Sequence, residues 1–338
     1  MSRNGSVRIL IRPRLPVLAL LLLAPSIPEL LTGSTSVTHL VTDPVGFAVG
    51  FPLDILLYGA GALLIREFAV IYQKGWASIL LLGAGYGIAE EGFEVHTFSS
   101  PSSVTVGALG VYGHLGGVNW LWALSLTIFH ATYSIALPIL LTNLWFPTVK
   151  DQRWLDRGSM GLLGFGYLAE VVGFGAFVAP YPLPPNALAF FIVVVFVLIA
   201  LAFWAPRYLL RVRPGPRRVR RNGLILLGLV DFGAYFCVLL FASSWVIPAV
   251  AAAVFLVAAD AAALVLILRW VGTEDLERSE YYFACGMLYA LFAWDVLIEF
   301  VSVPGILVVT GLFAYLLYRL GRTLDRRAEP LPPGVSSP

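Results

Sequence analysis

Apolar runs of about 20 residues recur along this chain from one end to the other, and no other feature limits its fold as strongly. Each run is long enough to carry a helix through the hydrocarbon layer, where backbone N–H and C=O groups must pair within the segment itself. Read by periodicity and length, the spans fall at residues 16–33, 47–72, 76–98, 118–146, 159–180, 186–206, 223–243, 246–270, 281–301 and 304–321. Only 12% of the residues are charged and 59% are hydrophobic, whereas a soluble domain carries roughly twice that charged share. The expected fold is therefore all-α: a polytopic membrane bundle of about ten transmembrane helices. Continuous runs of this kind are not the alternating pattern of a membrane β-barrel.

Charge placement orients the spans. Arg3, Arg8, Arg12 and Arg14 precede the first run and set the N-terminus in the cytoplasm. Loops 34–46, 99–117, 181–185, 244–245 and 302–303 then face outward, and none contains Lys or Arg. The inward loops carry Lys74, then Lys150, Arg153 and Arg157, then the run from Arg207 to Arg221, then Arg278. Arg319, Arg322, Arg326 and Arg327 close the last span and place the C-terminus in the cytoplasm as well. Arg66, Arg269 and Arg319, the arginines inside spans, all lie near cytoplasmic ends. Ala24-Pro25-Ser26 is a poor cleavage site, so the first run reads as a retained span and not a signal peptide. The cell membrane is the expected location.

The basic loop 207–222, with Pro214 and Pro216, divides a six-span half (1–206) from a four-span half (223–321). It reads as a topology anchor on an anionic leaflet, with no nucleic-acid partner implied. The Pro- and Ser-rich segment 322–338 is expected to be a disordered cytoplasmic tail. Cys237 and Cys285 both fall inside spans and give neither a disulfide framework nor a metal-ligand spacing.

Ionisable residues inside the membrane are costly and are functional candidates by default. They concentrate in the first half. The third span contains Gly83-Ala-Gly-Tyr-Gly-Ile-Ala-Glu-Glu-Gly-Phe-Glu94, in which Gly83, Gly87, Glu90 and Glu94 share a stripe about 60° wide, with Glu91 just beside it. Glycines admit a close neighbour, and the carboxylates then face that neighbour instead of lipid. In the fourth span His130 is the only histidine deep in a run, and Asn119, Ala123, Thr127, His130 and Ser134 share its face. Counted from the outer ends, Glu90 lies about 12 Å deep and His130 about 18 Å. Contact between these two faces is the central structural expectation. Catalytic candidates are Glu90, Glu91 and His130; Glu94, Arg66, Glu67, Ser134 and Thr127 are supporting.

Other polar groups have quieter readings. Glu29 caps a broken helix or sits among headgroups, and Arg66 pairs structurally with Glu67 or reaches a carboxylate of the third span. His96 is on the face opposite Glu90 and reads as solvated; His39 and His114 read as surface residues. Glu170, among Gly164, Gly166, Gly173 and Gly175, suggests a close-packed helix. Asp295 and Glu299 share one face and either join the outer acidic group or stand apart.

Two carboxylates beside an imidazole suit water activation, and equally the binding and release of a proton or cation. A structural subunit whose glutamates pair with Arg66 is a third possibility. No His-Glu-x-x-His, Walker loop, dinucleotide fingerprint or Gly-x-Ser-x-Gly elbow occurs, so ATP-driven transport and serine-hydrolase chemistry have no support, and cofactor and metal stay open. Glu90-Glu91 followed by His130 in the next span resembles the CAAX-protease and bacteriocin-processing (CPBP) family of intramembrane proteases. The resemblance implies Glu90 or Glu91 as base and His130 as the group that orients water or stabilises an oxyanion. A membrane-embedded peptide would then be the substrate; a small ion is the partner under the transport reading. Val95, Leu126 and Ser134 stand where that family's patterns have Arg, Phe and Asn.

Overall fold

The computed structural model describes residues 14–211, 221–244, 247–271 and 276–328. Arg3, Arg8 and Arg12, the centre of the basic loop and the tail beyond Ala328 lie outside the described residues. The start of the expected disordered tail, 322–328, is instead helical, because the last helix runs on to Ala328.

Apolar runs become helices because a hydrogen-bonded helix is the only open-ended element that leaves no orphan backbone group in lipid. We number them α1 to α10. α1 is Arg14–Pro25, continued by a π turn at Ser26–Leu30. α2 is Pro44–Ile71, with a π turn at Ile55–Gly59. α3 is Trp76–Ile88, continued by a π turn at Ala89–Glu94. α4 is Trp120–Trp145, with a π turn at His130–Ala136. α5 (Arg157–Phe177), α6 (Pro185–Trp204), α7 (Arg221–Phe241), α8 (Ala249–Trp270), α9 (Leu276–Glu299) and α10 (Ile306–Ala328) follow. A two-residue hairpin pairs His114–Leu115 with Val118–Asn119 ahead of α4.

The protein is thus a polytopic all-α membrane bundle. Eight of these helices, α2 and α4 to α10, are long and apolar enough to cross a membrane. The other two predicted spans also fold as helices, but α1 with its turn stops short after Leu30, and α3 carries Glu90, Glu91 and Glu94 in a single turn. Leu162, Phe165, Leu168 and Val172 are exposed along α5, an orientation that suits lipid and would be costly in water.

α3 lies at the centre, packed along the π turn of α4, against α6, and through its own π turn against α5. α7 and α9 form the closest helix pair of the second half, with α8 and α10 beside them. A Cβ added at Gly83 would stand 2.9 Å from the Ala131 Cα, and one at Gly87 would stand 2.8 Å from the His130 Cβ. The glycine stripe of α3 is therefore the surface on which the His130 turn of α4 rests.

Candidate functional site

Four chain segments converge at the middle of the first half, and each contributes through a π turn. The turns supply Glu29, Tyr58, Glu90 with Glu91, and His130 with Ser134. A π turn holds one residue more than the α-helix around it and is common at functional sites. In α3 it brings the neighbouring carboxylates of Glu90 and Glu91 to one partner, although ordinary helical spacing would aim them 100° apart.

That partner is His130. Its Nδ1 lies 3.3 Å from Glu90 Oε2 and its Nε2 lies 3.4 Å from Glu91 Oε1. Ser134, one turn on, sits 3.0 Å from Nδ1. The far oxygen of each carboxylate is held by a hydroxyl: Tyr58 donates to Glu90 Oε1 and Thr97 donates to Glu91 Oε2. Trp122 Nε1 donates in turn to Thr97, at 3.1 Å. Glu90 Oε2 is buried and makes no aligned hydrogen bond. All three residues are nearly sealed from solvent, His130 at 2% exposure, Glu90 at 6% and Glu91 at 9%.

These groups form one wall of a cavity of about 190 Å³. Glu29, Thr32 and Ser34 line it beside α1, and Phe232, Tyr235 and Trp294 line it from α7 and α9. The second half of the chain thus adds aromatic side chains to the lining. Cavities of this kind, apolar with a few convergent polar groups, are the usual form of a small-molecule or substrate site.

Tyr58 links two carboxyl groups of the lining. Its hydroxyl lies 2.6 Å from Glu29 Oε1 as well as against Glu90, and Thr35 donates to the other Glu29 oxygen at 2.9 Å. A phenol has one proton to donate, so both Tyr58 contacts are hydrogen bonds only when one of the two carboxyl groups itself carries a proton. Glu29 is therefore a member of the site and not a helix cap. Helical periodicity had no means of indicating this, because Glu29 and Tyr58 belong to other spans.

Other expected residues lie elsewhere. Thr127 is absent from the cavity wall, which takes Leu126 and Phe129 instead. Glu94 is buried on the side of α3 packed by α5, also away from the cavity lining. Arg66 pairs with Glu67, donates to the carbonyls of Val149 (3.3 Å) and Lys150 (2.7 Å), and lies 3.5 Å from the Trp154 ring. Glu67 accepts from the Trp154 and Leu155 amides. The pair clasps the loop between α4 and α5 and does not reach α3.

His96 is buried and held 2.6 Å from the Tyr181 carbonyl, in a backbone conformation with φ of +59°, and so is not a solvated residue. His114 is half-buried against Asn119 Oδ1 at 2.6 Å, while His39 is exposed as expected. Asn119 itself ties the Thr97 and Ser100 carbonyls, each at 2.8 Å, and so braces the loop bearing Thr97. Asp295 accepts from Thr310 and Glu299 accepts from the Gly305 and Leu307 amides, so neither joins the Glu90 group. Gly166 and Gly175 bring α5 against Leu56 and Phe93, the close packing its glycines suggested.

A model described as an uncharacterized membrane protein family matches residues 18–303, which takes in the whole site. No curated protein and no solved structure matches the chain.

Proposed function

We propose that this chain, which belongs to that uncharacterized membrane protein family, is a glutamate-dependent intramembrane hydrolase of the cell membrane. In this reading Glu90 or Glu91 takes a proton from a water in the cavity, and His130 orients the water or donates to the developing oxyanion. The observation that carries it is the placement of both imidazole nitrogens of a buried histidine, 3.3 and 3.4 Å from two different buried carboxylates, at the wall of a cavity. The resemblance of Glu90-Glu91 and His130 to the CPBP proteases points to the same chemistry. The aromatic lining from α7 and α9 suits an apolar, membrane-embedded peptide as substrate.

The test is a reconstitution in lipid vesicles with a pool of hydrophobic peptides in ¹⁸O-labelled water. Wild type should yield new carboxyl termini carrying ¹⁸O. Glu91→Gln, Glu90→Gln and His130→Ala should each lose on the order of 10²–10⁴-fold in rate, as expected for a lost general base or acid. Wild type that yields no labelled terminus across the pool, or variants as active as wild type, refutes the reading.

One observation favours a second reading. Glu29, Tyr58 and Glu90 form a continuous chain along the cavity wall, and such chains serve proton relays in transporters. A proton- or ion-coupled transporter, or a subunit of one, would show pH-driven uptake that Tyr58→Phe abolishes, with no peptide cleaved.

A further inference from the structure

We infer that Glu90, Glu91 and His130 together bind a single divalent cation of the zinc class, with its open position facing the cavity. The inference rests on the hydrolase reading for its location and names the ion that site would take; with the ion bound, Glu90, Glu91 and His130 would hold it, and it would take over activation of the water.

Three observations support it. First, one donor atom from each of the three residues lies within 4.8 Å of the other two, and all three residues are buried. Zinc bonds to N and O of about 2.0–2.2 Å put tetrahedral donors roughly 3.3–3.5 Å apart. His130 Nε2 and Glu91 Oε1 stand at 3.4 Å.

Second, each carboxylate is fixed through one oxygen by a separate hydroxyl, which leaves its other oxygen beside the imidazole. Tyr58 holds Glu90 through Oε1, Thr97 holds Glu91 through Oε2, and Ser134 sits against His130 Nδ1. Glu90 Oε2 then lies 3.3 Å from Nδ1 and Glu91 Oε1 lies 3.4 Å from Nε2. Anchoring the far side of every ligand is how metal sites set the orientation and basicity of their donors. Glu90 Oε2 is buried and makes no aligned hydrogen bond, with the His130 imidazole 3.3 Å away.

Third, the lining holds the carboxyl groups of Glu29, Glu90 and Glu91 and contains no lysine or arginine. Arg66 is committed to Glu67 and to loop carbonyls. A divalent ion would neutralise Glu90 and Glu91 in a medium where isolated charge is costly. Calcium asks for six to eight oxygen donors and magnesium keeps an octahedral, largely hydrated shell. Three protein donors including an imidazole, beside an open cavity, match the three-ligand-plus-water plan of catalytic zinc. Bound there, the ion would polarise a water or a carbonyl group of the substrate.

The full chain in detergent would be stripped with chelator and dialysed against Zn²⁺ alone, then Mg²⁺ alone, then Co²⁺ alone, with bound metal counted by mass spectrometry. The expected result is about one zinc per chain, little magnesium, and intense visible Co²⁺ bands of tetrahedral type. Glu91→Gln and His130→Ala should remove the bands, while Asp260→Asn, in a different cavity, should retain them. Because a ligand variant can misfold, Thr97→Val is the second probe: it keeps all three donors, and affinity should fall 10- to 100-fold through the lost anchor. Zinc held equally by wild type and both ligand variants, or by none, overturns the inference. Zinc bound as expected without any ¹⁸O incorporation leaves this site standing and removes the hydrolase. Hydrolysis unchanged after complete chelation removes the metal and leaves the hydrolase.

Discussion

Replacing Gly87 with alanine isolates the contact on which the whole site is built. The added Cβ would lie 2.8 Å from the His130 Cβ and 3.2 Å from its Cδ2. Carbon atoms rest comfortably at about 3.5–4.0 Å, so α3 and α4 must part locally by roughly 1 Å or His130 must swing aside. Overpacking of that kind costs about 1–3 kcal/mol, and a better helix former returns up to about 1 kcal/mol. The net expectation is a loss of about 0–2 kcal/mol in stability, with a larger functional effect, since a displacement near 1 Å at a catalytic group costs on the order of 10²-fold. Gly85 is the internal control. It lies two residues away on the same helix, and a Cβ there meets nothing within 4 Å. Gly85→Ala should be neutral or stabilising by up to about 1 kcal/mol, from helix propensity alone. The assay is thermal unfolding of both variants in detergent, read beside Co²⁺ binding. Equal stability and equal cobalt spectra for the two variants would refute the close approach of α3 to the His130 turn.

The hydroxyl shared by Glu29 and Glu90 and the Arg66–Glu67 clasp give two further tests. Tyr58→Phe leaves two buried carboxyl oxygens without a hydroxyl partner and should cost about 1–3 kcal/mol, measured by unfolding in detergent. Arg66→Met strands the Glu67 carboxylate, which is fully buried, and should cost about 3–5 kcal/mol. The double variant Arg66→Met, Glu67→Leu should recover much of that loss, and a double variant no better than the single one would show that the loop amides, not the charge pair, carry the stability.

The bundle was legible in the sequence because membrane physics leaves few options: a run of apolar residues in lipid must be helical, and arginines mark one side. Meeting of the Gly83–Gly87 stripe with His130 was also legible, since small residues at helical spacing mark close helix contacts. What spacing could not supply is the set of π turns. A reading at 100° per residue leaves Glu91 beside the stripe and puts Thr127 on the His130 face. The wider turns bring Glu91 to His130 Nε2, and Thr127 is absent from the cavity wall. Glu29 and Tyr58 sit on separate helices, and only tertiary packing brings them to Glu90. The aromatic lining from α7 and α9 went unread for a simpler reason: Phe232, Tyr235 and Trp294 look like any membrane aromatics until a cavity lies in front of them.

The shared π geometry of α1, α2, α3 and α4 has a consequence for how this protein tolerates changes in length. A helix carrying one residue too many within its span can shed that residue and close into regular winding while its two ends keep their places in the bilayer. Single-residue deletions inside 26–30, 55–59, 89–94 or 130–136 should therefore leave insertion into the membrane intact and swing the polar groups away from one another. In these four helices, the surplus residue is what separates a working arrangement from an inert set of spans.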